Sequence, residues 1–187
     1  MQPFGSFLGA IALANRLSRS PESGEWLFYP GMLFDSPFKW WGDYQYRVTL
    51  HEGIDIRYFR TDKGDLHPLE AGSLIPCPED GRILNICKDY LGYSMVIEHD
   101  HGPSTRLTSV LAHIVPDPGI TYNDHVLKDQ IVARVSDAGT SPLEPHLHFS
   151  IMEVPHTTPY DQMNWDLFSS RKNIALINPV FMQLEHT

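Results

Sequence analysis

The stretch from Thr49 to Val154 consists of short apolar runs separated by turn signals, and this pattern constrains the fold most. The runs GIDIRYF, RILNIC, SMVIEHD, TRLTSVLAHIV and HLHFSIMEV are rich in β-branched and aromatic residues, which favour strands. Turn-forming sequences such as PEDG and PDPG lie between them. Many short strands at near-regular spacing predict a mainly β fold, with a single antiparallel β-sandwich or rolled-sheet domain and short N-terminal and C-terminal helices.

The flanking segments divide the chain into three predicted regions. Residues 1–48 hold an amphipathic helix that runs to about Arg19, followed by an irregular, aromatic-rich lead-in packed on the domain. Residues 49–154 form the core. Residues 155–187 form an extension that docks on it, with a short helix from Tyr160 to Arg171 followed by the INPVFM segment. Aromatic side chains usually fill a core, so we expect this for the lead-in, with a binding groove as the alternative.

Composition excludes several classes of function. The chain of 187 residues has 14 basic and 23 acidic side chains, a net charge of −9 and no Lys/Arg cluster. Nucleic-acid binding is therefore not expected, because it needs a basic surface. No apolar run approaches the length of a membrane span. The N-terminus lacks the basic region and cleavage site of a signal peptide, so if the protein is exported we expect its signal to lie outside this sequence.

Cys77 and Cys87 do not belong to a C-x-x-C metal-binding pair. They either form one disulfide bridge or remain two small buried hydrophobic residues, and both alternatives stay open.

The sequence HEGIDI places His51 and Asp55 four residues apart. Gly53, Ile54 and Ile56 disfavour a helix here, and on an extended segment an even spacing puts both side chains on one face. An imidazole and a carboxylate on one face suit zinc. Taken alone, the pair is more simply a hydrogen-bonded His–Asp pair.

The sequence PHLHFSI places His146 and His148 two residues apart, and in a strand both rings project from the same face. One of them completes a two-histidine, one-carboxylate site that leaves a fourth position open, as in catalytic zinc sites. The other is then held beside the metal, where a general base or an oxyanion stabiliser is needed. For an isolated H-x-H motif, two hydrogen-bonded core histidines are the simpler alternative.

Together, HEGIDI, LAH and PHLHFSI resemble the three sequence blocks of the lysostaphin-type (LytM-like) zinc endopeptidases, which cleave peptide cross-links in bacterial peptidoglycan. The resemblance covers residues 50–151. It implies a peptidoglycan peptide or another peptide as the substrate, and a periplasmic or extracellular location. Nothing in the sequence indicates an oligomeric state.

The resemblance also implies site residues. His51, Asp55 and His148 are expected to bind one Zn²⁺ per chain. His113, from the LAH block, and His146 are expected to be catalytic histidines that do not bind the metal. Their implied roles are to take the proton of the attacking water, stabilise the tetrahedral intermediate and pass a proton to the leaving amine.

Three segments depart from the family pattern. Leu111 stands where the family commonly has an aromatic residue, and residues 140–144 replace a turn rich in Ser, Thr and Gly. The connection between Arg57 and Gly72 is longer than usual. All three border the expected cleft, so they affect the expected substrate more than metal binding.

Two other functions remain as alternatives. A metal-containing module of the same fold that binds or regulates a partner without cleavage is favoured if residues 26–46 cover the cleft. A β-rich carbohydrate-binding domain with incidental histidines predicts no stoichiometric zinc. Arg106 and Tyr93 are possible substrate contacts. The remaining histidines are expected to be solvated or at the surface, namely His67, His99, His101, His125, His156 and His186.

Overall fold

The strand-rich pattern folds into antiparallel sheets in the computed structural model, which describes residues 3–20 and 23–181. Helix α1 spans Phe4–Ala14 and α2 spans Trp165–Ser170. Short 3₁₀ turns lie at Pro30–Met32, Tyr160–Gln162 and Pro179–Phe181. The strands, in chain order, are β1 (Glu25–Leu27), β2 (Ile54–Ile56), β3 (Tyr58–Arg60), β4 (Leu66–Pro68), β5 (Leu74–Pro76), β6 (Gly81–Lys88), β7 (Tyr93–His101), β8 (Thr105–Pro116), β9 (His125–Val126), β10 (Ile131–Val135), β11 (Leu147–Pro155) and β12 (Ala175–Ile177).

Within the described residues, nine strands form one sheet and three form another. The larger sheet runs in the order β12-β11-β8-β7-β6-β9, with β10 pairing β5 and β8, and β2 pairing β11. The smaller sheet has the order β1-β3-β4, and the strand pairings are antiparallel. This confirms the predicted fold class, a mainly antiparallel β protein with a few short helices.

The central strands bury side chains on both faces. On β11, Phe149 joins the cluster that contains Phe7 of α1, whereas Met152 joins the cluster that contains Phe168 of α2. Alternation along a strand sends neighbouring residues to opposite faces, so both faces of β11 need a cover. Helix α1 provides one cover and the C-terminal segment provides the other.

The predicted end of the N-terminal helix at about Arg19 is wrong, because α1 ends at Ala14. The Asn15 side chain donates to the carbonyl of Leu74 at 2.8 Å and accepts from its amide at 2.7 Å. Arg16 then adopts a left-handed φ of 57°, which no helix continues through. A tertiary contact with β5 therefore ends the helix early.

The predicted C-terminal helix from Tyr160 to Arg171 is divided into a 3₁₀ turn and α2. Asn164 is extended between them, and its side chain accepts from the amide of Asp166, which caps α2. Arg171 ends α2 with a left-handed φ of 54°. The INPVFM segment follows, with β12 pairing β11, and its Met182 lies outside the described residues.

The lead-in is irregular, as predicted, and lies against the segment that holds His51. The amide of Asp35 donates to the carbonyl of His51 at 2.9 Å, and the amide of His51 donates to that of Ser36 at 3.1 Å. Only some of its aromatic residues fill a core, as expected for the lead-in. Trp40 is buried in a small core, whereas Tyr44 is 69% exposed.

Cys77 and Cys87 are both free thiols, and Cys77 is buried. Burial raises the pKa of the Cys77 thiol to about 12. The alternative of an intrachain bridge is therefore not realised. Among the described residues, the helices are too short or too polar to cross a membrane.

His99 is half-buried and hydrogen-bonded, rather than fully solvated as expected. Its Nδ1–H donates to the carbonyl of Asp80 at 2.9 Å, and its Nε2 lies 2.7 Å from the Ser109 hydroxyl. Burial lowers the pKa of His99 to about 4, so the ring is neutral at pH 7. His67 and His125 are exposed, as expected. The side chain of His101 and all of His186 lie outside the described residues.

We expect His99 to make the protein less stable in mild acid. An unfolded histidine titrates near about pH 6.5, whereas folded His99 titrates at about 4. Between these values only the unfolded chain takes up this proton, so the free energy of unfolding falls as the pH falls from about 6.5 to about 4. His99→Gln should reduce this fall in urea unfolding curves at pH 7.5 and pH 5. The exposed control His67→Gln should leave the fall unchanged, and equal falls in both variants would contradict the prediction.

Candidate metal centre

The pairing of β2 with β11 brings the first and third motifs together. In its register, His148 lies directly opposite Asp55. On the other side of β11, His148 lies opposite Ala112 of β8, so His113 is the next residue along. His51 lies just before the two-residue bend, residues 52–53, that leads into β2. Sheet register thus places three motifs that are distant in sequence at one point.

Gly53 allows the two strands to approach at this point. A Cβ atom there would lie 2.3 Å from the carbonyl oxygen of Phe149 and 2.8 Å from Nε2 of His148. Any other residue would therefore push β2 away from β11. The glycine between His51 and Asp55 therefore allows the backbones of β2 and β11 to pack closely.

Three candidate ligand atoms converge in this buried region. Nε2 of His51 lies 3.1 Å from Oδ1 of Asp55 and 3.1 Å from Nδ1 of His148. The Asp55 Oδ1 and His148 Nδ1 atoms are 2.9 Å apart. The three residues are between 1% and 3% exposed, and together they form a group able to hold a metal ion.

Hydrogen bonding at the outer edges of the rings fixes the lone pair of His51 and leaves the inner nitrogen of His148 to face the carboxylate. Nδ1–H of His51 donates to the carbonyl of Leu33 at 3.0 Å, so its Nε2 presents a lone pair. That lone pair faces the Asp55 carboxylate, which has acceptors only. Nε2 of His148 lies 2.7 Å from the Ser150 hydroxyl, which leaves Nδ1 to face the same point. Buried acceptors that face each other need a shared proton or a cation between them.

Charge in the cluster agrees with this arrangement. Burial raises the pKa of the Asp55 carboxyl, but the surrounding histidine rings outweigh burial and lower that pKa well below its usual range. Burial lowers the pKa of His148, which keeps its ring neutral. The site therefore offers an anionic oxygen from Asp55 and a neutral imidazole from His148, beside the Nε2 atom of His51.

This donor set fits zinc. A tetrahedral zinc ion with bonds of about 2.0 to 2.1 Å needs ligand atoms about 3.3 to 3.4 Å apart. The three observed separations lie slightly below that value, so a small outward movement accommodates the ion. Two nitrogens and one carboxylate oxygen are also ligands that zinc accepts, and three protein ligands leave a fourth position for a reactant.

His146 and His113 lie beside this cluster. Nδ1–H of His146 donates to the carbonyl of Glu144 at 2.7 Å, and its Nε2 lies 3.6 Å from Oδ1 of Asp55. Burial lowers the pKa of His146 to about 3. The ring centroids of His113 and His146 are 4.9 Å apart. All five sequence-predicted site residues are thus brought together, although His146 precedes β11 rather than lying within it.

Asp89 is a site residue that the sequence analysis missed. Its Oδ2 accepts from the backbone amide of His113 at 2.8 Å, and its Oδ1 lies 3.3 Å from Nδ1 of the same residue. The carboxylate also accepts from the amides of Leu91 and Gly92. These bonds hold His113 at a left-handed φ of 63°, which is rare outside glycine. The available signal was an Asp three residues before Gly92 in the turn that connects β6 and β7.

Residues from both flanking segments line the site. The Trp165 ring of α2 lies 5.2 Å from that of His148 and stacks on His113 at 6.4 Å. Trp41 and Arg47 of the lead-in form part of the wall of a pocket of about 430 Å³ that contains the five site residues. The lead-in therefore borders this pocket without filling it.

The segments that depart from the family pattern have specific places here. Leu111 is fully buried in the sheet core. The Glu144 side chain accepts from the Tyr58 hydroxyl at 2.8 Å and pairs with Arg57, while its carbonyl orients His146. The long connection between Arg57 and Gly72 contains the β3–β4 pairing.

The two residues suggested as substrate contacts lie elsewhere. Arg106 is 5% exposed and donates to the backbone carbonyls of Pro155 and His156. Neither Arg106 nor Tyr93 lines the pocket at the candidate metal centre.

Two histidines and one carboxylate beside a pocket form a donor set of the kind found in catalytic zinc sites. The chain belongs to Peptidase family M23, whose family model matches residues 49–162. This confirms the resemblance to the lysostaphin-type enzymes. No curated protein sequence matches the chain.

Several solved structures are similar at low sequence identity. LytU is 22% identical, with 72% of this chain and 81% of that chain covered and a TM-score of 0.44. The catalytic domain of the prophage-encoded M23 protein EnpA from Enterococcus faecalis is 17% identical, with coverage of 74% and 95% and a TM-score of 0.43. A chain of the SpoIIQ–SpoIIIAH pore-forming complex is 23% identical, with a TM-score of 0.37; the match covers 55% of this chain and 58% of that one.

Asp89→Asn should destabilise the protein. The change removes the negative charge and one of the two acceptor oxygens that serve several amides, and hydrogen bonds to charged groups contribute about 1.5–3 kcal/mol. We expect the free energy of unfolding in urea at pH 7 to fall by about that amount. Asp117→Asn is the matched control, because Asp117 accepts one amide in an exposed turn. A fall no larger than that of the control would contradict the structural role of Asp89.

Proposed function

We propose that this protein is a zinc-dependent endopeptidase that hydrolyses peptide amide bonds, with the peptide cross-links of peptidoglycan as its substrate. The observation that carries the proposal is the convergence of three buried ligand atoms beside two further histidines at one pocket. Membership of a peptidase family supports the reaction class. A peptidoglycan substrate places the protein in the periplasm or outside the cell.

The three ligands in this proposal are His51 through Nε2, Asp55 through Oδ1 and His148 through Nδ1. Zinc bound there supplies an activated water and polarises the amide carbonyl. The protein contributes rigidity, because each ligand is held by a hydrogen bond to its outer atom. A preorganised site of this kind reduces the rearrangement needed during reaction.

His146 is suited to accept a proton from the attacking water. Because its Nδ1–H is committed to the Glu144 carbonyl, its Nε2 carries the lone pair and faces the candidate ligands. A neutral imidazole with a fixed tautomer is the form that acts as a general base.

His113 is suited to stabilise negative charge and to return a proton to the leaving amine. Oδ1 of Asp89 lies 3.3 Å from its Nδ1, the place of a carboxylate that orients a catalytic imidazole. The same carboxylate binds the His113 amide, so backbone and ring are positioned together. Trp165 covers one face of the ring and limits its movement.

The first prediction of this proposal concerns metal content. Protein purified without added metal should contain one zinc per chain, measured by atomic emission. His148→Ala should lose the ion because it removes a ligand, whereas His146→Ala should keep it. Absence of zinc from the wild type, even after reconstitution, would overturn the proposal.

The second prediction concerns hydrolysis. His113→Ala and His146→Ala should retain zinc but release peptide fragments from purified peptidoglycan about 10²- to 10⁴-fold more slowly, as expected on loss of a general acid or base. Mass spectrometry of the fragments identifies the bond that is cleaved. His67→Ala, at an exposed histidine on β4, is the control and should keep the wild-type rate. Wild-type rates in either site variant would refute the assigned roles.

A second candidate function is a metal-containing module that binds or regulates a partner without cleavage. The observation that favours it is the lead-in, which reaches the candidate ligand Asp55 and forms part of the pocket wall. This alternative predicts one zinc per chain with no fragment release by the wild type. The hydrolysis assay therefore separates the two candidates.

A further inference from the structure

Residues 28–47 of the lead-in precede the region matched by the family model, yet they contact two of the three candidate ligands. We propose that Trp40 of the lead-in is a positioning residue for the metal centre. It restricts Asp55 to metal binding through Oδ1 and thereby strengthens zinc binding. This inference rests on the proposed zinc site and adds a residue outside the matched domain to it.

The two oxygens of Asp55 have separate surroundings. Oδ1 faces His51 and His148 at 3.1 Å and 2.9 Å. Oδ2 accepts from Nε1–H of Trp40 at 2.6 Å and from Nη2–H of Arg47 at 3.3 Å. Both neighbours of Oδ2 are donors, so this oxygen is occupied and Oδ1 is left for a cation.

The Trp40 indole is itself held in place. It is 5% exposed and packs edge-on against the rings of Trp41, Tyr58 and His146, with the closest centroid, that of His146, 5.1 Å away. Indole has a single N–H donor, so this packing fixes the direction of its one hydrogen bond. Rotation of the Asp55 carboxylate would break that bond inside a buried site, where an unpaired donor is costly.

Arg47 links separate parts of the lead-in around Trp40 by hydrogen bonds. Its Nε–H donates to the carbonyl of Phe38 at 2.9 Å, Nη2–H donates to that of Gly31 at 2.9 Å, and the guanidinium lies 4.4 Å above the Trp41 ring. Gly31 is needed for this packing, because a Cβ there would lie 2.7 Å from the amide nitrogen of Trp40. The loop that contains Trp40 is therefore stabilised by internal contacts of the lead-in.

The same segment also orients a second ligand. The Leu33 carbonyl accepts from Nδ1–H of His51, which directs Nε2 of that ring toward Asp55. Residues that hydrogen-bond to a metal ligand without touching the metal fix the orientation of that ligand. Their loss typically weakens metal binding about 10- to 100-fold. We expect Trp40 to contribute at this scale, because it makes the shorter of the two bonds to Oδ2.

Trp40→Phe tests the inference in the full-length chain, since it keeps an aromatic ring and removes the N–H donor. The matched control is Trp26→Phe, because Nε1–H of Trp26 donates to the carbonyl of Leu8 away from the site. Zinc dissociation constants are measured by competition with a chromophoric chelator at pH 7.5. We expect an increase of about 10- to 100-fold for Trp40→Phe and none for Trp26→Phe.

Cobalt substitution provides a readout that general loosening of the fold does not produce. Without the shorter of its two hydrogen bonds, Oδ2 is held only by Arg47 at 3.3 Å, so Asp55 can turn to bind through both oxygens, which raises the coordination number of the ion. The visible d–d absorption of Co²⁺ weakens as coordination number increases. We expect weaker bands in Trp40→Phe than in the wild type and in Trp26→Phe.

Arg47→Lys serves as the second variant if Trp40→Phe does not fold. It keeps the charge but loses the planar donor group that reaches both Gly31 and Asp55, and we expect weaker zinc binding. Its control is Arg60→Lys, at an exposed arginine paired with Glu25. An unchanged zinc dissociation constant in the site variant, or an equal change in its control, would overturn the inference while the zinc site itself stands. Absence of zinc from the wild type would overturn both.

Discussion

The antiparallel pairing of β2 with β11 is the interaction on which the rest of the site depends. It places His148 opposite Asp55, although the two residues are separated by 93 positions in the chain. A shift of one residue in this register would turn one of the two side chains to the other face of the sheet. Gly53 maintains the pairing because it allows the two strands to approach closely. The pairing positions the site residues, and their side-chain hydrogen bonds then orient them.

The site is completed from both sides by segments outside the region matched to the peptidase family. The lead-in supplies the donors to Asp55 and the carbonyl that orients His51, and α2 supplies Trp165 against His113 and His148. These contacts are buried and directional, so the flanking segments do more than cover the sheet. They set the orientation of side chains whose positions along the chain are fixed by the strands.

The elements that were predicted well are those set by local pattern. Alternating β-branched runs gave the antiparallel sheet, because side-chain periodicity and burial act residue by residue along a strand. The end of α1 was predicted poorly, because the bond between Asn15 and Leu74 is nonlocal. The same reason applies to His99, because its hydrogen-bond partners, Asp80 and Ser109, are distant in sequence and partly enclose a ring that the local sequence places in a polar turn.

The sequence by itself determined the strand-rich fold class and the residue types of the candidate site, since His51, Asp55, His113, His146 and His148 stand in ordered motifs with even spacing where a strand requires it. Only the tertiary structure decided which atoms of those residues face one another and which partners hold them. Ring orientation and carboxylate orientation depend on hydrogen bonds with Leu33, Trp40, Asp89, Glu144 and Ser150. Most of these partners come from other parts of the chain, and their contacts exist only after the sheet has brought those parts together.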